Sequence, residues 1–197
     1  MLPFPSDTEA LLFDCDGTLA DTMTLHYAAW RETMAAHGVD LPREFIDKHA
    51  GVPTDLIVED INNCWGVTLD PPAISEEKED RFRLHIELVE PIEEVVATAQ
   101  SYFGKLPMAV VSGGPVDVVT ATLEQISVLD LFPVLVTASD PVPPKPSPEV
   151  FLEAARRLGV DPTKCHVFED GDPGIVAAKA AGMTYTDVRL VVAARDQ

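Results

Sequence analysis

The 197-residue sequence predicts an α/β fold: a Rossmann-like doubly wound parallel sheet carrying an inserted small α-helical cap domain. Two observations support it. Short apolar runs at 10–14, 108–112, 134–137, 165–169 and 184–188 alternate with helical patterns, and several are rich in β-branched residues. Runs that are apolar on both faces suit a parallel sheet buried between crossover helices. Residues 21–90, between the first run and the second, show helical periodicity and loops but no strand. A strand-to-helix connection usually takes about 2–6 residues, so a stretch this long reads as an insertion.

Taken in order, the first run leads into helical patterns at 24–38, 56–65 and 75–88, the last strongly charged. The division this implies is a core of residues 1–20 and 91–197 and a cap of 21–90, hinged near 20–21 and 90–91. Beyond the cap, Gly114-Pro115 opens a helix carried by Val118, Val119, Thr122, Leu123 and Ile126. Ser147-Pro148 reads as an N-cap and first-turn proline, and Gly159 stops that helix. Asp172-Pro173 repeats the device, and Gly182 closes its helix.

Composition narrows the function. The 33 acidic against 14 basic residues give a formal charge of −19, which repels nucleic acid and anionic membranes. Solubility or adaptation to salt accounts for such a surface, but a phosphate ester would then need positive charge supplied locally. No apolar run reaches 18 residues, and no basic-then-apolar leader opens the chain. The expectation is therefore a cytoplasmic protein without a membrane span. Cys15, Cys64 and Cys165 are odd in number and widely spaced, as reduced thiols would be. Nothing demands more than a monomer.

The chemistry gathers at strand ends. Asp14-Cys15-Asp16-Gly17-Thr18 follows the first strand, where open α/β sheets bind ligands. Two carboxylates that close suggest a metal site or a division into acid and base, although Asp and Gly also serve plain turns. Ser112-Gly113-Gly114 ends the second strand before a helix, which makes an anion cradle or an ordinary turn. Lys145 sits among the prolines of PVPPKPSP, either a solvated lysine or a cation held rigidly for an anion. Glu169-Asp170-Gly171-Asp172 follows the fourth strand, a set of hard oxygen ligands suited to magnesium. Asp172 has a competing role as the helix N-cap. Together these sites supply a nucleophile, an anion cradle, a cation and metal ligands around one point.

In this order the motifs resemble the haloacid dehalogenase superfamily of phosphohydrolases over nearly the whole chain. Residues 14–18, Ser112, Lys145 and the Glu169-Asp170 pair match its four motifs. DTMTLHYAAW at 21–30 and FEDGDPGIVAAKAAGM at 168–183 look like the β-phosphoglucomutase-like subgroup with a helical type 1 cap. Pro53-Thr54 and residues 162–170 look most like bacterial fructose-1-phosphate-type sugar phosphatases. Thr54 stands where the mutases carry a phosphate-gripping arginine, which disfavours mutase activity.

The resemblance implies Asp14 as nucleophile and Asp16 as acid/base, with Thr18 orienting Asp16. It implies Mg2+ held by the Asp14 and Asp170 side chains and the Asp16 main-chain carbonyl, with Glu169 supporting. Ser112, Gly113 and Lys145 would bind the substrate phosphate. In the cap, His26 and Trp30 lie four residues apart on one helix face, and the resemblance adds Lys78 as a sugar reader. The plainer accounts are a packing Trp30, a solvated His26 and a charged helix face around Lys78. The implied activity is Mg2+-dependent hydrolysis of a small sugar phosphate. A β-phosphoglucomutase and a non-catalytic binding module are the alternatives.

Overall fold

The structure is a computed structural model and describes residues 1–192. In chain order its elements begin with β1 (Ala10–Phe13), β2 (Ala20–Asp21) and the helices α1 (Met23–Ala36), α2 (Arg43–Lys48), α3 (Thr54–Trp65) and α4 (Pro71–Arg83). They continue through β3 (Glu90–Pro91), α5 (Glu93–Tyr102), β4 (Met108–Val111), α6 (Val116–Gln125) and β5 (Val134–Val136). The chain then runs through α7 (Glu149–Leu158), β6 (Cys165–Glu169), α8 (Asp172–Ala180), β7 (Thr184–Asp187) and α9 (Val188–Val192).

Five strands form one parallel sheet in the order β5-β4-β1-β6-β7. Side chains alternate across a strand, so β1 divides its residues between two cores. Leu11 and Phe13 pack with Val95, Val96, Val118 and Leu123 of α5 and α6 on one face. Ala10 and Leu12 pack with Phe151 and Ala154 of α7 and Ala177 of α8 on the other. The central strand is therefore dry on both sides, and only its carboxyl end is available for chemistry. That topology is the doubly wound sheet expected from the apolar runs.

The inserted helices have a core of their own. Trp30, Met34, Ile46, Ile57, Val58, Ile61 and Ile74 form a third apolar cluster. Where the insertion meets the sheet domain, the chain pairs with itself: Ala20 opposes Pro91 and Asp21 opposes Glu90 in a two-stranded antiparallel ribbon. Several boundaries differ from expectation for local reasons. The last cap helix, α4, starts at Pro71 rather than 75, because prolines at its first two positions are preset for a helix start. Its charged tail past Arg83 turns into a short 3-10 segment at Ile86–Leu88. Pro148 and Gly171, not Ser147 and Asp172, occupy the cap positions of α7 and α8, while Gly159 takes the left-handed C-cap as expected. No helix of the described residues is long and apolar enough to cross a membrane.

His166 is buried in the middle of β6, hydrogen-bonded through Nδ1 to Thr184 (2.8 Å) and Nε2 to Thr186 (2.9 Å), with Phe168 and Phe4 rings beside it. Burial pulls its pKa down from 6.5 to about 4. The unfolded chain thus binds this proton at higher pH than the native fold. The contribution of His166 is complete above about pH 6.5 and is lost as pH falls towards 4, on the order of 3 kcal/mol in all. Melting temperatures of wild type and His166→Gln between pH 7 and 4 should converge on acidification. Parallel curves would show that His166 does not contribute to the acid response.

Candidate active site

The first structural requirement is a sharp exit from β1. Asp14 follows the strand and is tied to the neighbouring β6 by its N–H donating to Phe168 O (3.0 Å). Gly17, at φ +82°, reverses the chain so that its N–H reaches Ala20 O (2.8 Å). A Cβ at Gly17 would collide with the Asp170 carboxylate, so only glycine admits the acid loop after β6 this close.

Lys145 comes from the proline-rich segment after β5, and its peptide bond to Pro146 is cis. Its ammonium is buried and donates to Asp14 Oδ1 (2.6 Å), Glu169 Oε2 (2.8 Å) and Val111 O (3.0 Å). Glu169 Oε1 accepts from the Gly171 N–H at 3.0 Å. Burial and the neighbouring Glu169 push Asp14 well above the usual carboxylate range, and the same causes lift Asp170 to about 7. Lys145 keeps its charge despite burial because Asp14 and Glu169 flank it.

One carboxylate oxygen from each of Asp14, Glu169 and Asp170 lies within 4.8 Å of the other two. With Asp16 nearby and Lys145 the cation bound among them, the cluster carries surplus negative charge. Raised acid pKa values are the sign of that surplus, and a divalent cation with oxygen ligands is the group that relieves it. The donor set therefore fits Mg2+.

Asp16 is held differently. Burial opposes its charge, but His26, Thr22 and Lys78 outweigh it and bring the pKa down to about 2. Thr22 Oγ1 donates to Asp16 Oδ1 (2.8 Å), and His26 Nε2 approaches the same oxygen at 3.0 Å. The other ring nitrogen, Nδ1, is 2.8 Å from Lys78 Nζ. An ammonium can only donate, so Nδ1 accepts and Nε2 carries the hydrogen directed at Asp16. His26 also stacks on Phe82, with ring centroids 3.9 Å apart.

The expected residues converge. Asp14, Asp16, His26, Trp30, Lys78, Ser112 and Gly113 line one cavity of about 60 Å3 between sheet and cap. Lys145, Ser112 and Gly113 also border a second recess of about 220 Å3 behind the cap loop. That loop, residues 50–52, is pressed onto the core. A Cβ on Gly113 would strike the Gly51 carbonyl, and one on Gly171 would sit 2.9 Å from Ala50 O. Ligand pockets usually run to about 300 Å3 or more, so the cap is closed over its site in this state.

Two expectations need correcting. Thr18 does not reach Asp16: its hydroxyl donates to Asp170 Oδ1 at 2.9 Å, because the Gly17 turn aims it at the acid loop. Thr22 holds Asp16 instead. Asp172 is largely solvent-exposed and pairs with Arg189 at 2.8 Å, neither an N-cap nor part of the acidic cluster. Trp30 packs in the cap core, as its plainer reading has it, and also lines the cavity. Sequence reasoning missed Thr22 and Glu79, the latter adjacent to Lys78 but indistinguishable from the other acids of SEEKED.

Comparison with known proteins agrees with this geometry. The family model of haloacid dehalogenase-like hydrolases matches residues 11–188. The chain is 39% identical to the fructose-1-phosphate phosphatase YqaB of Escherichia coli (strain K12), over 92% of this chain and 96% of that protein. Identity to hexitol phosphatase B of the same strain is 31%, covering 91% and 82%. Among solved structures, β-phosphoglucomutase of Clostridium difficile superposes with a TM-score of 0.77 at 27% identity, covering 90% and 83%.

Gly113→Ala should hold the cap off the core while leaving the sheet intact. Amide hydrogen exchange across residues 49–54 is then faster than in wild type. Unchanged exchange there would mean the glycine contact does not set closure.

The chain belongs to the haloacid dehalogenase-like hydrolase family.

Proposed function

We propose that, as a member of that family, the chain is a magnesium-dependent phosphatase acting on a small sugar phosphate, fructose 1-phosphate-like, through a phosphorylated Asp14. The observation that carries this reading is a buried Asp14, clamped at Oδ1 by Lys145, sharing one cavity with Asp16. The similarity to sugar phosphatases supports the substrate class.

In the first step a carboxylate oxygen of Asp14 attacks phosphorus and the bond to the sugar oxygen breaks. Asp16 gives that oxygen a proton. Resting Asp16 is ionised, its carboxyl being held below the usual range. It therefore first takes a proton from solvent as the phosphate charge arriving beside it raises its proton affinity, and it then delivers that proton to the leaving oxygen. In the second step water attacks phosphorus, Asp16 takes the water proton, and the bond to Asp14 breaks to restore the carboxylate. Lys145, the Ser112 hydroxyl and the Gly113 N–H would stabilise charge on the phosphoryl oxygens. Asp14, Asp170 and the Asp16 carbonyl would hold Mg2+, which when bound neutralises phosphate charge; Glu169, tied to Lys145 and Gly171 N–H, supports from behind.

The β-phosphoglucomutase alternative is less favoured. A mutase must bind a bisphosphate by either end, and Thr54 offers no cation: its hydroxyl is committed to Glu79 at 2.7 Å.

Phosphate release should be measured across sugar phosphates, including fructose 1-phosphate and both glucose phosphates. Turnover should require Mg2+ and fall at least about 1,000-fold in Asp14→Asn, in keeping with loss of a nucleophile. Isomerised sugar phosphate in place of free phosphate would establish the mutase instead. Mg2+ should also raise the melting temperature of wild type, by preferential binding to the native state, but not of Asp170→Asn. An equal rise in both would take Asp170 out of the metal site.

A further inference from the structure

The cap buries an ion pair that the phosphoryl-transfer steps do not use. Lys78 Nζ lies 3.0 Å from Glu79 Oε1, and both side chains are at most 4% exposed. Thr54 donates to the same oxygen at 2.7 Å. Glu79 Oε2 is buried too and has no partner among the described residues. Glu79, Lys78 and Thr54 line the cavity that holds Asp14 and Asp16. A buried acceptor without a donor costs about 1–3 kcal/mol, and more when charged, so an unpaired oxygen on a residue that lines a site calls for a donor that arrives with the ligand.

We propose that Glu79 Oε2 accepts a hydrogen bond from a hydroxyl on the non-phosphorylated part of the substrate. Glu79 thereby selects polyhydroxy monophosphates over compounds carrying a second anion at that end. The selection rests on the phosphatase reading above. Its two halves have one physical origin. A hydroxyl satisfies the free oxygen, whereas a second phosphate would bring like charge against a desolvated carboxylate. Lys78 offsets only part of that repulsion, since two of its three N–H donors are already taken by Glu79 and His26 Nδ1. Thr54 and Lys78 fix one carboxylate oxygen, which leaves the other in a set position rather than free to rotate.

The test is a cycle between enzyme and substrate. The best sugar monophosphate from the panel is compared with its monodeoxy analogues and its bisphosphate, in wild type, Glu79→Leu and Glu79→Gln. In wild type at least one analogue should lose about tenfold or more in kcat/KM, and the bisphosphate a similar factor, as expected where a site is built to bond a substrate hydroxyl. In Glu79→Leu the deoxy penalty should vanish and the bisphosphate penalty shrink. Glu79→Gln keeps an acceptor for Lys78 and Thr54 if the leucine variant does not fold. It should show a reduced penalty, since the charge-assisted bond is lost. Penalties unchanged in the variants, or no disfavoured analogue in wild type, would overturn the selection while leaving the phosphatase intact. If wild type hydrolyses no sugar phosphate, both fall together.

Discussion

One buried ammonium ties the site to the sheet. Lys145 is supplied by the segment after β5, yet it contacts Asp14 beyond β1, the Val111 carbonyl of β4 and Glu169 at the end of β6. Those three strands are neighbours in the sheet, so the lysine gathers their carboxyl ends into one charged centre. A buried ion pair of this kind is weak evidence for stability, because desolvation offsets most of the attraction. Removing one partner is a different matter, since it leaves the others uncompensated. The surplus negative charge around Lys145 is what the Mg2+ of the proposed reaction would offset.

A second chain of contacts links that centre to the cap. Asp16 belongs to the turn after β1, whereas His26, Lys78, Glu79 and Thr54 belong to α1, α4 and α3. The series Asp16–His26–Lys78–Glu79–Thr54 is continuous at hydrogen-bond distance. Opening the cap to admit a substrate would have to disturb this series at its junction with the core, which is the Asp16–His26 contact. The protonation behaviour of Asp16 is then tied to cap position, as its depressed pKa depends on His26, Thr22 and Lys78.

Much of this arrangement was legible in the residues. Strands buried on both faces must be continuously apolar, so β1, β4 and β6 stood out, and their ends marked Asp14, Ser112 and Glu169. Glycine and proline punctuation located helix ends to within a residue or a few. What could not be read depended on direction rather than composition. Thr18 and Thr22 are equally plausible partners for Asp16, and only the path of the Gly17 turn assigns one to Asp170 and the other to Asp16. Glu79 looked like one more acid in a charged helix until its burial set it apart. The two-residue strands β2 and β3 and the six-residue α2 are too short for any periodicity to register.

The proposed reaction requires Asp14 to carry the phosphoryl group. Mixing enzyme, Mg2+ and the preferred sugar phosphate, quenching in acid within one turnover and mapping the peptides by mass spectrometry tests this directly. A single phosphoryl group on the peptide containing Asp14, absent when position 14 is asparagine, is the predicted result. Full turnover with no phosphorylated peptide at any quench time, or with the group on another residue, would contradict it.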